Sequence, residues 1–438
     1  MIGQVCVRNK KHVRNSKGLM PNISCLKSDT LFPPMHSSVT GACREESTQA
    51  LWSNMASSHL KLPTVYAFGS NGSGQLGIGH TNDTARPQKC IFRPRQQDDS
   101  GLFGSEETEV TASTVTDVRK IVAGGNHTLI LMEDGRVFAA GNAGSGDEDV
   151  RVEFEQQDFD VEGHVTDVAA TWEASFFVVD RRRVFVQGSG AKGELGLGNG
   201  VVTADEMTRV SDVDDLDVSP GEQHANAEIV DIAACMSHVV VLLSDGCAFG
   251  WGSCRKGQLG DQSKQHKILW EPTRIDVGMP FQPERVVVGR DYTVFLHGGM
   301  KPVIWGEVKD LNEEVFQQPV DGGDTVASGW SSIHTLASGQ VRSVGKNTHG
   351  QHAPANMPRI LALAAGSEHC VALTQDNQVV AWGWGEHGNC GEELDSKGNV
   401  AGRWNVIPMP RPNEGVQILT VAAGCATSFV VCGRLDPD

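Results

Sequence analysis

Short apolar runs of five or six residues, each closed by polar or glycine-rich turns, recur along most of this chain. HTLILM at 127–132 and HVVVLL at 238–243 are the clearest. Runs of that length, apolar throughout, are what strands buried on both faces show. Glycines sit between them, where tight turns need positive φ. Helix-period segments are not evident. The pattern predicts an all-β fold of many short strands.

The runs belong to a repeat. IVAGGNHTLILMEDGRVFAAG at 121–141 returns as IAACMSHVVVLLSDGCAFGWG from Ile232 and LAAGSEHCVALTQDNQVVAWGWG from Leu363. Aligned on one column, the copies place His127, Ala174, His238, Tyr292, Ser331, His369 and Thr427 in equivalent positions. Seven residues after each of the first six comes an Asp-Gly turn or its degenerate form, at Asp134, Arg181, Asp245, Gly299, Ser338 and Asp376. A second half-motif follows each turn, best seen as GSNGSGQLGIG from Gly69 and GSGAKGELGLG from Gly188. The two halves are out of phase, because the chain starts on an unpaired second half near Val65 and ends on an unpaired first half through Val431. Joining them completes one unit. The expectation is a seven-bladed β-propeller over 63–438, closed by pairing of N- and C-terminal half-repeats in one blade.

Composition narrows the function. The net charge of −17 over 438 residues argues against a phosphate-backbone binder, so no direct DNA contact is expected. No apolar run approaches the ~18 residues of a membrane span, so no membrane partner is expected either. The eleven cysteines show no C-x-x-C pair or zinc-like spacing, which fits a reducing compartment and predicts neither metal nor cofactor. Residues 1–62 are basic, Ser-rich and without periodicity; they read as a disordered extension, a targeting segment, or sequence upstream of a start at Met55.

The units AGGNHTLILMEDGRVFAAG and FGSNGSGQLGIG resemble repeats of the regulator-of-chromosome-condensation family, across 63–433. The opening YAFGSNGSGQLGIGH at 66–80 and the closing AWGWGEHGNCG at 381–391 are similar to its fungal alpha-tubulin suppressor branch. That resemblance implies a non-catalytic scaffold, monomeric or heterodimeric, in cytoplasm and nucleus. The implied partner is a small zinc-binding protein of diphthamide synthesis, which also serves Elongator-dependent modification of tRNA wobble uridines. The family's founder implies an alternative, guanine-nucleotide exchange on a Ran-like small GTPase. This chain departs from the founder in its acidity and offers no segment matching a GTPase-facing wedge.

Candidate site residues follow from the turns. Trp172 and Trp330 replace small residues just before the aligned column, and Trp384 and Trp404 fall in or beside the last Gly-rich loop, with His387 next to Trp384. Tryptophan on a turn is a typical binding anchor, so these five are the candidate partner-binding residues. Trp251, Trp305 and Trp382 occupy a regular apolar-Trp-Gly position and are expected to fill space between blades. The column histidines read as structural. His349, His352 and His387 with Cys390 match no metal-site spacing, and the run Asp212, Asp214, Asp215 and Asp217 reads as a solvated loop. No catalytic constellation stands out. Insertions at 96–116, 200–228 and 392–414 read either as docking loops or as neutral, disordered drift.

Overall fold

A computed structural model describes residues 5–6, 63–95, 118–142, 150–216, 226–276, 278–311, 318–410 and 416–433. The extension expected over 1–62, except the backbone of Val5–Cys6, and the insertion at 96–116 lie outside these residues. The described chain forms seven sheets whose main pairings are antiparallel, arranged as a seven-bladed β-propeller. Blade 1 combines Gln417–Ala423 and Thr427–Gly433 with Thr64–Gly69 and Thr84–Lys89. Blade 2 is built on Val118–Ala123, His127–Met132, Val137–Gly141 and Arg151–Gln156, with Val5–Cys6 paired to the first. Blade 3 runs from Val165–Ala170 to Thr203–Asp212, and blade 4 from Ile229–Cys235 to Ile268–Arg274. Blades 5 (Arg285–Val288 to Val303–Gly306) and 6 (Thr325–Ser328 to Gln340–Gly345) have three strands each among the described residues. Blade 7 runs from Ile360–Ala365 to Asn399–Ile407.

The innermost strand of each blade packs on that of the next, and Gln417–Ala423 touches both Ile360–Ala365 and Val118–Ala123. In blade 1, Thr64 lies opposite Cys432 and Gly69 opposite Thr427, so the two ends of the repeat share one sheet. The apolar clusters sit between blades, because every blade is apolar on both faces. Phe176 and Val186 of blade 3, for instance, pack with Val239 and Trp251 of blade 4. Buried Trp251 donates from Nε1 to the Glu194 carbonyl of the preceding blade at 2.7 Å, and Trp382 does the same to Gln351 at 2.9 Å. Both fill inter-blade space and satisfy their one polar atom. Trp305 is half-buried, edge-on to Phe295 with centroids 4.7 Å apart.

A glycine faces the aligned column in every blade. His127 lies opposite Gly141, His238 opposite Gly252, Tyr292 opposite Gly306 and His369 opposite Gly383. Gly383 has φ +102°, and a Cβ there would stand 2.4 Å from the Glu368 carbonyl oxygen. The second strand therefore passes too close to the third for any side chain. Gly383→Ala should cost about 1–3 kcal/mol from backbone conformation alone, before the clash is relieved. An unchanged urea midpoint for that variant would refute this account of the column.

Register corrects one alignment. Ser332, not Ser331, lies opposite Gly345 and occupies the column in blade 6. A two-residue turn with positive φ at Ser338 and Gly339 links Ala337 to Gln340, which shortens the repeat by one residue there. Two expected insertions also prove to contain blade strands. Thr203–Asp212 and Asn399–Ile407 are the outermost strands of blades 3 and 7. An outermost strand is half-solvated, so it carries polar residues and lacks the apolar run that marks the others. Residues 217–225 and 411–415 of those insertions lie outside the described residues.

Candidate functional site

The turns joining the first and second strands of the blades lie together on one face. Two residues before the column, the side chain is large in four consecutive blades: Trp172, Met236, Arg290 and Trp330. It is small in the other three, at Ser367, Cys425 and Gly125. Backbone bonds run from turn to turn and fix these positions, Gly125 N to Trp172 O at 2.8 Å and Trp330 N to Ser367 O at 2.8 Å among them. The asymmetry leaves a depression of about 600 Å³ over the small side.

Trp172 and Trp330, from blades 3 and 6, meet with ring centroids 6.3 Å apart and planes 36° to each other. Both are half-buried and line the depression. Trp330 also packs with Met236 and Cys425 on the apolar cluster of blades 4 and 5. The two indoles thus do structural work in the ring while presenting a surface above it. A Cβ on Gly125 would fall 2.5 Å from the Trp172 indole, so only glycine leaves Trp172 its place. The Arg290 guanidinium stands 5.8 Å from the Trp330 ring centroid and donates to Asp291 at 3.0 Å.

The rim comes from the Gly-rich loops. Trp384 and His387 lie edge-to-face at 5.3 Å, and His387 Nδ1 is 2.7 Å from Asp83 Oδ2 of blade 1. Lys346 and His349 enter from the loop after blade 6. Glu368 is nearly buried and accepts bonds from Ser331 Oγ, at 3.0 and 3.1 Å, and from Gln351 Nε2.

Four of the five sequence candidates, Trp172, Trp330, Trp384 and His387, therefore converge on one depression. Trp404 does not join them. It lies on the outermost strand Asn399–Ile407, half-buried against the blade 7 cluster. Sequence reasoning missed Arg290, Lys346 and Glu368. The usable signal for Arg290 was its position two before the column, the position that Trp172 holds in blade 3.

Other candidate chemistry resolves into structure. His238 Nε2 meets Thr293 Oγ1 at 3.1 Å and His369 Nε2 meets Ser428 Oγ at 3.0 Å, each reaching the next blade. Both hydroxyls donate to carbonyls, Thr293 to Gln258 and Ser428 to Asn389, so each histidine is the donor. His127 has no hydrogen-bond partner among the described residues. In blade 5 Tyr292 replaces histidine and sets its hydroxyl against the carbonyls of Gly329 and Ser332 in blade 6, at 3.0 and 2.8 Å. Asp214 and Asp215 pair with Arg182 and Arg209 on the surface. Burial pushes the Cys370 and Cys390 thiols well above their usual range, which keeps them unreactive. Among the described residues, no group of three His, Cys, Asp or Glu side chains is placed to hold a metal, and no helix is long and apolar enough to cross a membrane.

Models of the regulator of chromosome condensation repeat match residues 118–147 and 360–389, and a second model with the same description matches 64–131 and 245–296. The matched segments fall in blades 1, 2, 4, 5 and 7 of the seven-bladed ring. The chain carries regulator-of-chromosome-condensation repeats. An RCC1 repeat-containing protein of Schizosaccharomyces pombe is 28% identical over 84% of this chain and 98% of its own length. The secretion-regulating guanine nucleotide exchange factor of Mus musculus is 24% identical over 84% of this chain and 83% of its own. Among solved structures, Prp20p of Saccharomyces cerevisiae, described with its binding to Gsp1p and histones, aligns with TM-score 0.62. It is 18% identical and covers 86% of this chain and 93% of its own, a likeness of fold.

Proposed function

We propose that this RCC1-repeat propeller is a non-catalytic docking protein whose partner seats in the tryptophan-lined depression. The convergence of Trp172, Trp330, Trp384 and His387 from blades 3, 6 and 7 on one hollow carries this reading. Aromatic anchors around a concave site are what energetically dominant contacts require. The resemblance of 66–80 and 381–391 to the alpha-tubulin suppressor branch supports a specific partner, the small zinc-binding protein of diphthamide synthesis. With it would come a cytoplasmic and nuclear role in elongation-factor and tRNA modification.

A second reading has its own support. One relative that spans 84% of this chain, from Mus musculus, is named as a guanine nucleotide exchange factor. Exchange would also proceed by docking, on a small GTPase, with no covalent chemistry from the propeller.

One experiment separates the two. The full chain is tested by titration against the purified zinc protein and by nucleotide release from a Ran-type GTPase. Trp384→Ala, at the half-exposed rim, should weaken the true partner more than tenfold, since such anchors carry about 2 kcal/mol. Equal binding by parent and variant would remove the depression as the docking site. Accelerated nucleotide release with no zinc-protein binding would establish the exchange reading instead.

A further inference from the structure

The depression carries a charge opposite to that of the molecule. The chain has a net charge of −17, yet two cations, Arg290 and Lys346, line this hollow; of the two imidazoles there, His387 faces Asp83 and His349 faces the Asn399 amide. Among the described residues Glu368 is its one lining carboxylate, and Ser331 and Gln351 already bond it. Lys346 forms no ion pair among the described residues; its backbone N–H goes to the Ser331 carbonyl. Arg290 gives Asp291 one bond and leaves about half of its side chain exposed, with further N–H donors free to meet a ligand.

We infer that the depression takes an acidic loop of a partner protein, with an apolar side chain set on the Trp172–Trp330 floor and its neighbouring carboxylates received by Arg290 and Lys346. This deepens the docking function proposed above and rests on it. Three features select the occupant. The indole floor is apolar and edged by polar groups, the form of a site that seats one apolar anchor. A space of about 600 Å³ admits a loop tip rather than a whole element. Arg290 already stands over the Trp330 face, so a second cation arriving there would meet like charge at a short distance.

The preference is local. At long range the acidic body repels an acidic partner, so association depends on contacts made once the loop is seated. Raising salt from low to physiological strength should therefore change the affinity for an acidic loop only slightly, because screening weakens the repulsion and the contacts together.

The test uses two fluorescein-labelled peptides with the same Leu-Phe centre, one flanked by Asp and Glu and the other by Lys and Arg. Anisotropy is followed with the full chain at physiological salt. The acidic peptide should bind and the basic one should not. Lys346→Glu and Arg290→Glu should each weaken the acidic peptide more than tenfold, with thermal midpoints unchanged. Lys346→Gln, the milder variant, should weaken it about threefold. Stronger binding of the basic peptide, binding of neither, or equal binding of the acidic peptide to Lys346→Glu would each overturn the inference. If the charge assignment fails while Trp384→Ala still loses the protein partner, the docking site stands and only its acidic occupant falls.

Discussion

Lowering the pH from 7 to 5 should remove about 6 kcal/mol of the propeller's folding stability. Burial holds four imidazoles below their ordinary value. His238 and His369 are pushed down to about 4, and His127 and His334 to about 3. In the unfolded chain each titrates near 6.5. Between those values the unfolded state binds more protons, so stability is fully present above pH 6.5 and is lost as pH falls towards the folded values. Asp231 opposes this. Burial, together with the Asp167 charge, pushes its carboxyl up to about 6 against the pull of Lys120. Its contribution is present at low pH and lost as pH rises through 6, which offsets one histidine. Urea midpoints measured from pH 7 to 5 should fall with uptake of roughly three protons on unfolding. A flat profile over that interval would mean that these imidazoles are not buried as neutral groups.

The second large effect concerns the ring of innermost strands. Lys120 is buried on Val118–Ala123 of blade 2, with Nζ 2.6 Å from Asp167 Oδ1 of blade 3 and 3.3 Å from the Ile232 carbonyl of blade 4. Asp231, beside Ile232, accepts the Val286 N–H of blade 5 at 2.9 Å. One polar chain thus ties four consecutive blades at the centre, where a mispaired charge is most costly. Lys120→Met keeps the volume and removes the cation, leaving Asp167 and Asp231 without their shared counter-charge. The expected loss is about 3–5 kcal/mol at pH 7.5. It should shrink at pH 5, because Asp231 then takes up a proton and the repulsion ends. A loss under about 1 kcal/mol, or one of the same size at both pH values, would show that the triad does not act as the staple described.

The repeat was legible because its most regular parts are the most buried. His127–Met132, His238–Leu243 and His369–Thr374 are buried at every position, so apolar residues fill most of them. The glycines facing the column were legible for a related reason, since no other residue fits where two backbones nearly touch. Outer strands such as Thr203–Asp212 were not. Half-solvated positions accept almost any residue, and the acidic run there looked like a loop.

The strand repeat, the seven units, the half-unit phase shift and the candidate tryptophans could all be read along the chain, because they are periodic and local. Which of those tryptophans belong together emerges from the closed ring alone. Trp172 and Trp330 are far apart along the chain and three blades apart in the ring, yet their rings meet because the ring brings every turn to one centre. Trp404 is near Trp384 in sequence but lies on an outward strand. The cations that give the hollow its sign, Arg290 and Lys346, sit at repeat positions that hold no fixed residue type. Their significance depends on how seven turns of unequal size close around an axis, which no spacing along a single chain encodes.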